Sequence, residues 1–179
     1  MSTVEFLFSG FGGQGILFAG KFVAYKGMID NKQVSWLPSY GPEMRGGTAS
    51  CSVIVSDSPV GSPIVSEPDV LVAMNLPSLD RFEKAVKKGG IIFMDSSLIE
   101  RKVARDDVRV YAVPATQIAS DNGFPTLANM VLLGKILKVL EDFDEASVAA
   151  ALSKVISAKH ADMMEVNRKA MQLGADYQA

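Results

Sequence analysis

The chain has 179 residues, of which 48% are hydrophobic and 21% charged, so it suits one globular domain with a sizeable core. Eighteen basic and twenty acidic side chains give a net charge of −2, a balance that gives no reason to expect a nucleic-acid or anionic-membrane partner. With one cysteine and one histidine, the chain by itself supplies neither an internal disulfide nor the ligands of a zinc site or an iron–sulfur cluster.

The first predicted unit is a strand, a glycine-rich turn and a helix. A short apolar run predicts a buried strand, and the following segment repeats apolar or small residues at the spacing of a helix face. Between strand and helix lies the glycine turn, formed by Gly10, Gly12, Gly13, Gln14 and Gly15. Glycines let the backbone turn tightly and approach a ligand, and free N–H groups at a helix start attract anions. The unit predicts an α/β fold with a Rossmann-like opening.

The G-x-G-x-x-G spacing of this turn is also found in dinucleotide sites. Those sites place an acidic residue at the end of the second strand, where it binds the ribose. The second strand is predicted from Gln33 to Leu37 and runs into Pro38, while Asp30 precedes the strand and would lie at its wrong end. We therefore expect no tight NAD or FAD binding. A turn that needs glycine only for close strand–helix packing stays open as an alternative.

The second unusual stretch is the loop of residues 38–47, whose prolines and glycines argue against regular structure. It carries an aromatic residue, an acid and a base, which plain linkers seldom contain, so it predicts a binding surface. The residues assigned to this surface are Tyr40, Gly41, Glu43, Arg45, Gly46 and Gly47. The alternative is a structural loop in which Glu43 and Arg45 pair locally.

The remaining apolar runs predict strands that alternate with helices. Alternation from Thr48 to Ser56 predicts a strand, and its short connection to the preceding one favours antiparallel pairing. Buried strands are also predicted at Val70–Met74, Ile91–Met94 and Arg109–Val113. This order predicts a three-layer α/β/α single domain over residues 1–179, with a mixed, mostly parallel sheet. The strand ends expected at one ligand-binding rim are Ser9, Asn75, Asp95 and Pro114.

Local signals also predict where helices begin and end. Ser78 is the predicted cap of one helix and Asp144 of another, and the last helix is predicted from His160 to Leu173 with Gly174 as its C-cap.

The segment from Pro125 to Leu140 predicts a helix that is apolar on nearly every side. Such a helix is buried all round, or it is shared with a partner or a second copy. Asn129 is its odd polar member, and a hydrogen bond to neighbouring backbone explains it.

Neither the lone cysteine nor the lone histidine has the surroundings of a catalytic group. Cys51 lies in an apolar strand, which indicates an inert core thiol, and His160 is interpreted as a surface or capping residue. The chain start lacks a basic segment followed by an apolar one, and no apolar run reaches membrane-spanning length. We therefore expect a cytoplasmic protein without a membrane partner.

Two stretches together resemble the gamma subunit of 2-oxoacid:ferredoxin oxidoreductases. They are Gly10 to Ile16, and Ser39 to Ala49 with the run Tyr-Gly-Pro-Glu-Met-Arg-Gly-Gly. The first motif is moderately specific, and the pair in this order and spacing is highly specific. The helix around Asn129 and the late segment Asn167–Ala170 also resemble the family, so the resemblance covers essentially the whole chain.

The resemblance implies a multi-subunit enzyme that decarboxylates a 2-oxoacid on thiamine diphosphate, transfers the acyl group to coenzyme A and reduces ferredoxin. In the family, thiamine diphosphate is held by the alpha and beta subunits, and the resemblance also implies coenzyme A, magnesium and the iron–sulfur clusters on partner subunits. This chain alone is therefore expected to bind no cofactor and to be inactive. The implied partners are the alpha, beta and delta subunits, with a homodimer as an alternative for the isolated chain.

Within that family, the glycine turn and the loop are interpreted as parts of the coenzyme A channel. Arg45 or the glycine N–H groups would position coenzyme A, because a guanidinium grips phosphate with two parallel hydrogen bonds, while Tyr40 and Glu43 order the loop. A pure subunit contact is the alternative. The loop sequence resembles the 2-oxoglutarate and branched-chain types of the family, and of these we favour the 2-oxoglutarate type. Two other functions stay open: a stand-alone nucleotide-binding module, and the smaller subunit of an indolepyruvate-type enzyme.

Overall fold

The computed structural model describes residues 2–39 and 48–178, and its centre is a six-stranded β-sheet. The strands are β1 (Thr3–Phe11), β2 (Gln33–Ser39), β3 (Thr48–Ser56), β4 (Val70–Ala73), β5 (Ile91–Asp95) and β6 (Arg109–Val113). The helices are α1 (Ile16–Ile29), α2 (Leu76–Phe82), α3 (Ala115–Asp121), α4 (Ala128–Val139), α5 (Glu145–Val155) and α6 (Met163–Asp176). Short 3-10 turns lie at Glu83–Ala85, Pro125–Leu127 and Ala158–His160.

The strand order is β2-β3-β1-β4-β5-β6, with β1 in the middle of the sheet. Phe8 of β1 lies opposite Cys51 in the antiparallel pair with β3 and opposite Val72 in the parallel pair with β4. The strands β4, β5 and β6 are parallel to one another, and β2 pairs antiparallel with β3. Strand β3 therefore runs against both of its neighbours, which confirms the mixed, mostly parallel sheet and the antiparallel pairing predicted for β2 and β3.

Hydrophobic cores lie on both faces of the sheet, because successive side chains of a strand point to opposite sides. On one face, Phe6 and Phe8 pack with helices α1, α3, α4, α5 and α6. On the other face, Leu7 packs with Leu71 and with Leu79 of α2. The three-layer α/β/α architecture is confirmed. None of the described helices is both long and apolar enough to cross a membrane.

Helices α4 and α6 cross at very short range through two glycines. A Cβ atom at Gly134 would lie 1.8 Å from the carbonyl oxygen of Met171, and one at Gly174 would lie 1.8 Å from that of Val131. The prediction that Gly174 ends the last helix is wrong, because the residue is part of this crossing. The same helix begins at Met163 rather than at His160. The predicted burial of α4 is confirmed, and α6 supplies much of its cover.

Helix caps follow the predicted chemistry at one position and not at another. Asp144 caps α5 as predicted, since its carboxylate accepts a hydrogen bond of 2.7 Å from the Ser147 N–H. The cap predicted at Ser78 is wrong. Asn75 is the N-cap of α2, and its Oδ1 accepts a hydrogen bond of 2.8 Å from the Ser78 N–H. Ser78 therefore lies inside the helix.

Candidate functional site

The glycine turn connects β1 to α1 in a left-handed backbone conformation. Gly13 has φ of 91° and Gly15, the N-cap of α1, has φ of 74°. Residues with a Cβ rarely adopt such values, so these two positions favour glycine. The turn places the start of helix α1 directly beside the end of the central strand.

The glycines of the turn differ in what surrounds them. A Cβ at Gly10 would lie 2.6 Å from both Gln14 Oε1 and Ile16 Cδ1, and one at Gly15 would lie 2.3 Å from Asn129 Nδ2. At Gly12 and Gly13, by contrast, a Cβ would meet no atom of residues 2–39 and 48–178 within 4 Å. Close packing therefore explains why positions 10 and 15 are glycine. It does not explain glycine at positions 12 and 13, where no described residue fills the space above the backbone.

Gln14 holds the turn in place with both ends of its side-chain amide. Its Oε1 accepts a hydrogen bond of 2.6 Å from the Phe11 N–H, and its Nε2 donates one of 3.0 Å to the carbonyl oxygen of Met74. The side chain thus bridges β1 and the end of β4. The two hydrogen bonds of the Gln14 amide stabilise the conformation of the turn.

Asn129 of α4 fixes the other end of the turn. Its Nδ2 donates a hydrogen bond of 3.2 Å to the carbonyl oxygen of Gly15, across 114 positions of sequence. This bond confirms the prediction that Asn129 pairs with neighbouring backbone. That Asn129 touches the glycine turn was not predicted, because no local pattern relates α4 to a turn so distant in sequence.

The assigned loop residues Tyr40, Gly41, Glu43, Arg45, Gly46 and Gly47 lie outside the described residues. The strand residues on either side of the loop are described, and they lie beside the turn. In the strand register, Thr48 is opposite Phe11 and Ser39 is opposite Ser50. Ala49 lines a depression of about 270 Å³ together with Phe11, Gly12, Gly13, Gly15 and the start of α1.

The other strand ends also meet at this rim, as the sequence predicted. Asp95, at the end of β5, is fully buried and accepts hydrogen bonds from the Ser97 N–H, at 3.0 Å, and from the hydroxyl of Thr116, at 2.5 Å. These bonds tie the end of β5 to the start of α3, so Asp95 has a structural role. Exposed apolar side chains lie along the same rim at Phe11, Leu76 and Leu98.

A larger groove of about 420 Å³ lies on the other side of Gly15, and we refer to it as the Asn groove. It is lined by Gly15, Phe18, Thr126, Leu127, Asn129, Val155, Ile156, Ser157, His160, Met163 and Asn167. The elements that meet there are α1, α4, α5 and α6. Gly15 and Phe18 line both this groove and the depression beside Ala49, so the two concave surfaces adjoin each other.

Neither the cysteine nor the histidine forms a reactive centre. Burial raises the pKa of the Cys51 thiol to about 12, which agrees with the prediction of an inert core residue. His160 is exposed in a 3-10 turn, in agreement with its interpretation as a surface residue. Within residues 2–39 and 48–178, no three His, Cys, Asp or Glu side chains are placed to hold a metal ion.

Comparison with known proteins gives one family and several close relatives. The family described as pyruvate ferredoxin/flavodoxin oxidoreductase matches residues 5–177. The chain is 40% identical to the ketoisovalerate oxidoreductase subunit VorA of Methanothermobacter marburgensis, over 94% of this chain and 35% of that protein. It is 36% identical to the 2-oxoglutarate synthase subunit KorC of Methanocaldococcus jannaschii, over 83% of this chain and 81% of that protein. It thus spans about a third of the VorA relative's length.

Two solved structures have the same fold. The gamma subunit of a keto/oxoacid ferredoxin oxidoreductase from Geobacter sulfurreducens PCA matches with a TM-score of 0.82 and 30% identity, over 97% of this chain and 96% of that one. A 2-oxoglutarate:ferredoxin oxidoreductase from Magnetococcus marinus, solved with 2-oxoglutarate, coenzyme A and succinyl-CoA bound, matches with a TM-score of 0.88 and 23% identity, over 100% of this chain and 32% of that one.

Proposed function

The chain belongs to the pyruvate ferredoxin/flavodoxin oxidoreductase family, and from that premise we propose that it is the gamma subunit of a 2-oxoacid:ferredoxin oxidoreductase. The complex would decarboxylate a 2-oxoacid, form the acyl-coenzyme A and reduce ferredoxin. Its proposed partners are the alpha, beta and delta subunits. The relatives named VorA and KorC, and the Geobacter gamma subunit, support this proposal.

The residues of this chain fit a supporting role better than a redox role. Cys51 alone does not fit a cluster site, since a cluster is held by several cysteine thiolates and the chain has one cysteine. Thiamine diphosphate, magnesium and the iron–sulfur clusters are accordingly proposed on partner subunits. Cofactors carry the difficult chemistry in such enzymes, and the protein supplies binding and orientation.

The main support for a role in binding coenzyme A is the space above Gly12 and Gly13, which no described residue fills. Neither glycine is needed there for packing, whereas a ligand's phosphate can approach a backbone that has no Cβ. The N–H groups at the start of α1 supply a positive dipole end at the same place. Coenzyme A carries a pyrophosphate that suits this chemistry, and the Magnetococcus enzyme has coenzyme A bound.

The substrate is proposed to be 2-oxoglutarate, one of the two types, with the branched-chain type, that the loop sequence Gly-Pro-Glu-Met-Arg-Gly-Gly resembles. The relative named a 2-oxoglutarate synthase subunit supports this choice. Ketoisovalerate is the second candidate, because a relative of higher identity is named for it. Assays of the assembled complex with both 2-oxoacids decide between them, and a higher kcat/KM for ketoisovalerate would overturn the first choice.

Replacement of Arg45 tests the proposed channel role in the reconstituted complex. We expect Arg45→Ala to raise the KM for coenzyme A about tenfold with intact assembly, because lost ligand binding appears in that constant. Gel filtration and steady-state kinetics measure the two properties. Loss of assembly would mean that the loop is a subunit contact, and normal assembly with normal kinetics would remove Arg45 from the site.

A further inference from the structure

Two asparagines of the Asn groove contain buried oxygen atoms without hydrogen-bond partners. Asn129 is 4% exposed and Asn167 is 3% exposed, and no described donor lies within reach of either Oδ1. Their Nδ2 groups are already used, since Asn129 donates to Gly15 and Asn167 donates to the carbonyl oxygen of Met163 at 2.7 Å. Each of these two oxygens therefore lacks a hydrogen-bond donor among the described residues.

Leaving such a buried acceptor unpaired is unfavourable, because the oxygen has lost its hydrogen bonds to water and gained none in return. Two of them beside one groove are therefore unfavourable in the isolated chain. Both oxygens are closed to solvent by the groove wall. Met163, one of the lining residues, is half-buried, and a methionine side chain repacks easily. A donor from outside would therefore have to displace part of this wall to reach them.

The chemistry of the lining restricts the kind of donor. None of the described residues that line the groove is Asp, Glu, Lys or Arg. A buried ammonium or guanidinium would have no carboxylate to compensate its charge, which is costly. A neutral N–H group meets no such penalty. The apolar wall of Phe18, Leu127, Val155 and Ile156 suits apolar side chains on either side of that donor.

A peptide segment has this combination of neutral N–H groups and apolar side chains. In two of the matched proteins, the region equivalent to this chain makes up only 35% and 32% of a longer polypeptide, so further protein is attached to it there. The groove also adjoins Gly15, and it therefore lies next to the surface at which the catalytic subunits would have to reach coenzyme A.

We propose that the Asn groove docks a neutral peptide segment of the catalytic alpha–beta pair, whose backbone N–H groups pair with Asn129 Oδ1 and Asn167 Oδ1. This inference rests on the proposed membership in a 2-oxoacid:ferredoxin oxidoreductase complex. It assigns the groove to a protein partner, whereas the open side of the glycine turn is assigned to coenzyme A.

Replacement of Asn167 by leucine distinguishes an effect on docking from an effect on the stability of the fold. In the isolated chain, Asn167→Leu removes an unpaired buried oxygen together with one local hydrogen bond, so we expect a melting temperature close to that of the wild type. In the complex, the same change removes the acceptor for the partner's N–H, and we expect about tenfold weaker association. Biolayer interferometry with the immobilised alpha–beta pair measures the affinity.

Asn122→Leu is the matched control. Asn122 Nδ2 also donates to a backbone carbonyl four residues earlier, that of Ile118 at 2.9 Å, but Asn122 is exposed and lies outside the groove. We expect this variant to associate normally. Equal affinity of the two variants for the alpha–beta pair would overturn the docking proposal.

Hydrogen–deuterium exchange of the unmodified chain tests the same inference without a substitution. We expect residues 155–163, which form one wall of the groove, to gain protection when the alpha–beta pair is added. Protection by coenzyme A alone would identify a ligand site instead and overturn the proposal. An unchanged KM for coenzyme A in both Arg45→Ala and Gly12→Val, together with weakened association of Asn167→Leu, would refute the coenzyme A role and leave the docking role intact.

Discussion

The two ends of the sheet differ in whether their polar groups have partners. At the end where β1 and β4 begin, charged side chains pair: Lys26 with Asp30 and Asp142, Lys32 with Asp57, and Lys87 with Glu5 and Asp69. At the end where these strands finish, the described residues with unpartnered buried polar atoms are Asn75, Ser78, Asn129 and Asn167.

This difference separates a region whose ion pairs stabilise the fold from the region to which we assign a partner and a ligand. Paired charges at the first end tie strand starts to helix ends and need nothing further. Unpaired polar atoms, exposed apolar side chains and open backbone at the second end lower the stability of the isolated chain. Proteins tolerate such features mainly at functional sites. We therefore expect substitutions at the first end to change stability and those at the second end to change association and ligand binding.

The largest effect on stability is expected at the buried ammonium of Lys26. Its side chain is 2% exposed and lies 2.7 Å from a carboxylate oxygen of both Asp30 and Asp142. The double variant Asp30→Asn with Asp142→Asn leaves the buried cation without compensation, and we expect the free energy of unfolding to fall by about 3 kcal/mol. Urea unfolding measures it, and the KM for coenzyme A in the complex should not change.

Lys26→Met is the control for that variant. It removes the buried charge and leaves behind two carboxylates that solvent can hydrate, since Asp30 is 30% exposed and Asp142 is 54% exposed. We expect a clearly smaller loss of stability. If Lys26→Met were as damaging as the double variant, the cation would not be the group that needs its partners.

A smaller effect is expected from acid. Hydrogen bonds from the Lys32 ammonium, and from the N–H and hydroxyl of Ser2, lower the pKa of Asp57. The folded chain thus holds this carboxylate ionised at a pH where the unfolded chain, with a pKa of about 3.9, begins to bind protons. Its contribution to stability is present above about pH 4 and is lost as the pH falls further. Melting temperatures between pH 7 and pH 3 should show this loss.

Asp57→Asn isolates the contribution of that carboxylate. The variant should be less stable than the wild type at pH 7 and should lose less stability on acidification. An identical pH dependence in the two proteins would mean that other carboxylates cause the acid sensitivity. Asp144, whose pKa is lowered by hydrogen bonds from Ser147, would then be the next residue to replace.

The elements that the sequence predicted well are those whose signal is local. Strand alternation, the glycine turn and the short connection before Thr48 predicted the sheet and its mixed direction, because each depends on neighbouring residues. The cap at Ser78 was wrong because the helix begins earlier, at Leu76, where Asn75 is the N-cap and accepts a hydrogen bond from the Ser78 N–H. Gly174 was misassigned because the reason for glycine there is the backbone of α4, which is distant in sequence.

The candidate site was predictable only in part for the same reason. Glycine spacing identified the turn, but it did not distinguish the packing positions Gly10 and Gly15 from the open position Gly12. The Asn groove joins Asn129 and Asn167 with Gly15 through tertiary packing alone, so no local pattern predicted it. Asn129 had drawn attention in the sequence as the polar member of an apolar helix, and Asn167 only through the family resemblance.

The open position at Gly12 provides the most direct test of the central claim that the glycine turn binds coenzyme A. In the reconstituted complex, Gly12→Val places a side chain in space that no described atom occupies, and Gly61→Val does the same at a position far from the turn in sequence. We expect both variants to fold and assemble, and Gly12→Val alone to raise the KM for coenzyme A at least tenfold, with the KM for the 2-oxoacid unchanged. Equal KM values for coenzyme A in the two variants would contradict the claim.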